Sequence, residues 1–104
     1  MALKLRVCRT DEVPDGEMVG FEVDGVSVPV LVVKMDGTFY ASTSMCPHED
    51  VSLLDGDNIG TTVICPGHAY EFDVTKGTCG HDQKLRLHTY KVTIIEGDLY
   101  VDII

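Results

Sequence analysis

The sequence predicts an all-β protein, a small antiparallel sandwich or barrel. Three observations carry this reading. Gly-containing tight-turn signals recur between apolar runs, those runs are rich in β-branched and aromatic residues, and no window holds a 3.6-residue apolar stripe for three turns. Only Val51-Ser52-Leu53-Leu54 suits a single helical turn. The strands follow in order. Leu3 to Cys8 alternates apolar with charged residues and reads as the first. Asp24-Gly25 joins Met18 to Val23 with Val26 to Lys34, because Gly accepts the positive φ of a two-residue hairpin turn. Pro29 has no N–H for the ladder, so it places its strand at an edge or a bulge. Asp36-Gly37 leads on to Thr38 to Ser42. Thr62 to Cys65 and Tyr70 to Val74 are two further short strands, and Gly97 turns His88 to Ile95 back onto Leu99 to Ile103. In that last pair Tyr90, Val92 and Ile94 share one face, with Lys91 and Thr93 opposite, so one face is expected to be buried. Gly20, Gly56 and Gly60 read as turns.

The 104 residues suit a single domain, 1–104, without repeats or linkers. With 44% hydrophobic and 24% charged residues, the chain has the apolar material for a modest core. Eight basic against 17 acidic residues give a net charge of -9, a field that repels nucleic acid and anionic lipid. The longest uncharged apolar run, Val26 to Val33, falls far short of the roughly 20 residues of a membrane helix. The start, Met1 to Val7, alternates charge with hydrophobe and has no signal-peptide core. The expected location is therefore the cytoplasm, with no membrane and no nucleic acid as partner.

Four cysteines in a reducing compartment point to metal ligation or free thiols before disulfides. Cys46-Pro47-His48 and Cys65-Pro66-Gly67-His68 are two short loops, each just after an expected strand. Each carries one thiolate and one imidazole. A zinc ion takes all four tetrahedrally, whereas a sulfide-bridged pair of irons gives both cysteines to one iron and both histidines to the other. The ligand types alone leave both open. Cys8 reads as a small core hydrophobe, and Cys79-Gly80-His81 imitates the first loop but reads as an exposed turn with a surface thiol.

Both loops, their order and interval, both prolines and the Phe72-Asp73 pair resemble the Rieske iron-sulfur family across nearly the whole chain. The resemblance implies the Rieske fold, with two cluster-binding loops at one tip, and one [2Fe-2S] cluster held by Cys46, His48, Cys65 and His68. Two ferric ions, two sulfides, two thiolates and two neutral imidazoles make an uncharged oxidised cluster, so taking up an electron is easier than with four thiolates. In the family's high-potential branch each loop adds a cysteine and the two form a disulfide; Val51 and Gly67 stand there. Tyr70 and Phe72 stand where that branch has a serine and a tyrosine bonded to cluster sulfurs. Fewer donors imply a potential at the low end of the Rieske range, around -150 mV.

The remaining chemistry is sparse. A terminal oxygenase needs a second iron on two histidines and a carboxylate, but only His81 and His88 are spare; a flavin or nicotinamide reductase needs a phosphate-binding glycine loop opening a βα unit, which is absent. What is left resembles the small Rieske ferredoxin, not an enzyme itself. Such a ferredoxin carries single electrons from an NADH-dependent flavoprotein ferredoxin reductase to a terminal Rieske oxygenase of a ring-hydroxylating system. A monomer is expected. The resemblance places His48 and His68 at the electron exit. Met45, Pro47 and Pro66 read as a small apolar tip beside it, and Glu49, Asp50, Asp55 and Asp57 either as an acidic rim that steers basic partners or as ordinary solvated loop residues. Two other readings fit the motif: a small Rieske subunit of an assimilatory nitrite reductase, and a zinc-stabilised interaction module.

Overall fold

The computed structural model describes residues 3–48, 50–67 and 69–103. Among these, eleven strands form three wholly antiparallel sheets and the only helical segments are two 3-10 turns. The first sheet places β11 (Asp98–Asp102) between β1 (Lys4–Arg9) and β10 (Val92–Ile95). The second runs β2 (Met18–Phe21), β3 (Val30–Met35), β4 (Thr38–Thr43), β9 (Thr89–Tyr90). The third is a meander of β5 (Asp57–Ile59), β6 (Thr62–Ile64), β7 (Glu71–Asp73) and β8 (Thr78–Cys79).

The uninterrupted Val30-Leu31-Val32-Val33 run is explained by its place between two cores. Val30 and Val32 pack with Val7, Cys8, Leu99 and Val101, while Leu31 and Val33 pack with Leu53, Val63 and Phe72. All four are fully buried, as expected when helices or sheets cover both faces of a strand. Each contributes about 1.5–3 kcal/mol through burial. Neighbouring Tyr40 and Ala41 divide likewise, one against each core.

Two of the expected hairpins are two-residue turns with both residues at positive φ. These are Asp36 (52°) with Gly37 (79°), and Glu96 (50°) with Gly97 (81°). The conformation matches the right-handed twist of the flanking strands. The Asp24-Gly25 hairpin is looser: β2 ends at Phe21 and β3 begins at Val30. Pro29 therefore lies outside the ladder, just ahead of an internal strand, and marks neither an edge strand nor a bulge. The bulge falls in β1 between Arg6 and Cys8, and it turns both Val7 and Cys8 into the core.

The segment expected as one strand from His88 to Ile95 changes sheets at Lys91. Thr89 and Tyr90 pair with β4, whereas Val92 to Ile95 pair with β11. Tyr90 and Val92 still share one core across that corner, but Ile94 lies near the hairpin end of the edge strand β10, beyond that core, and is 44% exposed instead of buried. Gly20, expected in a turn, is a strand residue. It lies inside β2, where a Cβ would run into the Leu54 side chain. Leu53–Asp55 is the anticipated helical turn, in 3-10 form, with the Leu54 N–H donating to Ser52 Oγ at 3.2 Å.

Candidate metal centre

The two loops leave strands of different sheets and are closed in the same way. After β4, the backbone N–H of Cys46 donates to the Val51 carbonyl at 3.0 Å. After β6, the N–H of Cys65 donates to the Tyr70 carbonyl at 2.8 Å. In each case the bond spans a cysteine and the fifth residue after it, so two unrelated stretches make matching prongs. Within the second, the Ala69 N–H donates to the Cys65 carbonyl at 2.9 Å, and Ala69 takes φ +59°. Both prongs are rooted in one core. Leu53, whose N–H donates to the Ser44 carbonyl at 2.7 Å, anchors the first, and Phe72 anchors the second; both are fully buried.

A sulfur of Cys46, a ring nitrogen of His48 and the sulfur of Cys65 lie within 4.8 Å of one another. Cys46 and Cys65 are buried in the core, while the half-buried His48 ring reaches the surface with its Nδ1 3.9 Å from the Cys46 sulfur. The thiols face inward and the imidazole outward. Pro47 and Pro66 are exposed, Met45 is half-buried, and Asp50, Asp55 and Asp57 are exposed around them. His68 and Glu49, the remaining expected ligand and rim residue, lie outside the described residues.

The other two cysteines lie outside this donor group. Cys8 is buried in the opposite core; burial first, and then the carboxylate of Glu12, push its thiol up to about 11. Cys79, expected as a surface thiol, is 5% exposed because β8 pairs it with Phe72. Sequence reasoning also missed that Tyr70 stacks on the His48 ring, with centroids 4.1 Å apart. The available signal was an aromatic residue two positions after the second loop's histidine.

Soft sulfur donors below and an imidazole above, on two prongs held by backbone bonds, suit a cluster whose two irons differ in ligation. The donor set therefore fits a [2Fe-2S] group. Comparison with known proteins agrees. Residues 4–91 match the Rieske [2Fe-2S] domain model. The ferredoxin component of the alkene monooxygenase system of Xanthobacter autotrophicus is 33% identical over 91% of this chain and 77% of that protein. The Sphingomonas yanoikuyae B1 ferredoxin superposes with a TM-score of 0.85 at 32% identity, covering 96% of this chain and 98% of that one. The ferredoxin in a complex of reduced oxygenase and oxidised ferredoxin of carbazole 1,9a-dioxygenase gives 0.84 at 28%, covering 95% and 92%.

Fold and prongs together define an iron-sulfur electron-transfer protein of the small all-β class. The chain belongs to the Rieske [2Fe-2S] domain family. That membership decides between the two-iron cluster and the zinc site, which the ligand types alone had left open.

Proposed function

We propose that this chain is a mobile Rieske ferredoxin, carrying single electrons from a flavoprotein ferredoxin reductase to a terminal Rieske oxygenase, and that Cys46, His48, Cys65 and His68 hold its cluster. The observation that carries the reading is the meeting of Cys46, His48 and Cys65 donor atoms within 4.8 Å on two matching prongs. Its likeness over nearly full length to ferredoxin components of oxygenase systems supports the same reading. Bound there, the cluster supplies one-electron redox chemistry at the molecular surface.

The chain's own residues then have distinct tasks. Cys46 and Cys65 bury their sulfurs and exclude water from the inner half of the site. His48 presents its ring to a docking partner through the apolar tip of Met45, Pro47 and Pro66. Asp50, Asp55 and Asp57 give that tip a negative border that steers basic surfaces toward it. No helix among the described residues is long and apolar enough to cross a membrane. A cytoplasmic monomer is the form in which one tip serves two partners in turn.

Analysis of the purified chain tests the proposal. Two iron and two acid-labile sulfide per chain, and an electron paramagnetic resonance signal after anaerobic reduction, are expected of the bound cluster. NADH-driven reduction through a separate flavoprotein, followed by oxidation by a Rieske oxygenase, is expected of the carrier. Tight co-purification with a siroheme protein, with no turnover between reductase and oxygenase, would overturn the shuttle.

A further inference from the structure

Three aromatic rings from three separate segments form a column on one side of the prongs. His48 stacks on Tyr70 with centroids 4.1 Å apart and planes inclined by 21°. The same Tyr70 ring stacks on His81, with centroids 5.2 Å apart and planes inclined by 12°. Local sequence does not bring His81 there; sheet register does. Pairing of Phe72 with Cys79 sets β8 beside β7, after which the Gly80 N–H donates to the Glu71 carbonyl at 2.9 Å. The Glu71 N–H in turn donates to His81 Nδ1 at 3.3 Å. Using Nδ1 as the acceptor leaves the ring proton on Nε2 and fixes the imidazole plane against Tyr70.

We infer that Tyr70 and His81 are positioning residues for His48: together they form a wall that holds the plane of this ligand ring and covers one of its faces. The inference rests on the reading of His48 as a cluster ligand. A liganding histidine is ordinarily oriented through bonds made by its second nitrogen. Here an aromatic wall limits its rotation as well. Tyr70 also packs on the core, so its loss alone is ambiguous. His81 is exposed and belongs to neither core, which makes it the cleaner probe. An aromatic pair is worth about 0.5–1.5 kcal/mol beyond burial, which corresponds to roughly 2- to 10-fold in a rate that requires the ring to swing away.

The test uses the cluster-loaded full chain and follows bleaching by an iron chelator, the g-values of the reduced form and the thermal midpoint. His81→Ala is expected to bleach about 2- to 5-fold faster and to shift the g-values, with the thermal midpoint lowered by a few degrees at most. Tyr70→Leu is expected to bleach about 10-fold faster, whereas Tyr70→Phe, which keeps the ring, stays near the parent. If Tyr70→Leu fails to fold, His81→Ala decides. Parental bleaching and spectrum in His81→Ala would overturn the inference, as would faster bleaching with parental g-values, which a general loss of stability would give. A parent chain that holds no cluster would instead overturn the ligand reading.

Discussion

Cys65 donates its backbone N–H to the carbonyl of Tyr70, and between them Ala69 adopts φ +59° while donating its own N–H back to Cys65. The second prong therefore depends on a left-handed residue that is not glycine. Ala69→Pro removes the donor and imposes a φ near -65°, so it is expected to cost more than about 1 kcal/mol and to abolish cluster loading. Ala69→Gly keeps the donor and relieves a left-handed penalty of about 1 kcal/mol. Visible absorbance per chain and a denaturant titration check both, and normal loading of the proline variant would refute this account of the prong.

If Cys46 and His48 hold the cluster as proposed, replacing either with Ala should remove the visible chromophore, because an iron would be short of a ligand. Cys8→Ala is the control. Cys8 lies in the opposite core, so its loss should cost about 1 kcal/mol of stability and leave iron and sulfide content unchanged.

Gly56 follows the 3-10 turn, and a Cβ there would run into the carbonyl oxygen of Ile64, with Pro66 Cδ 3.1 Å away. Backbone cannot yield as a flexible side chain does. Gly56→Ala is expected to destabilise by about 1–3 kcal/mol and to weaken cluster retention, since Ile64 leads directly into Cys65. Gly20→Ala meets only the flexible end of Leu54 and should cost less. Paired unfolding curves give the comparison, and equal costs would count against the close approach.

The burial-raised Cys8 thiol predicts a specific alkaline weakness. Its pKa moves from 9.0 to about 11 on folding, so the unfolded thiol ionises first. Stability is whole below pH 9 and is lost as pH rises toward about 11. Unfolding midpoints measured across that window should fall more steeply for the parent than for Cys8→Ala. Identical slopes would remove Cys8 as the cause.

If Asp50, Asp55 and Asp57 steer a basic partner, raising ionic strength shortens the reach of their field, to about 10 Å at 0.1 M. The second-order rate of reduction by the flavoprotein should drop severalfold between low and moderate salt. Neutralising the three as Asn should flatten that dependence; a rate indifferent to salt argues against steering.

Much of this was legible because it depends on local chemistry. Asp36-Gly37 and Glu96-Gly97 announce their turns through the positive φ that both residues adopt, and the prolines and spacing of the two Cys-His loops mark the site without reference to distant residues. Where the reading failed, a distant partner decided. Cys79 looked like a surface thiol until pairing with Phe72 enclosed it, and Ile94 looked buried until its strand took the edge of a sheet and left it beyond the core that covers Tyr90 and Val92.

The sequence by itself determined the strand-rich class, the turn positions and the kind of donor atoms offered, since each follows from neighbouring residues and their intrinsic geometry. Only the tertiary structure decided that Val30 to Val33 divide between two cores, that the prongs close alike on Val51 and Tyr70, and that His81 stands behind Tyr70 and His48. Those relationships depend on strand register across long stretches of chain. A register is set by the summed packing of whole faces, which no short window of residues contains.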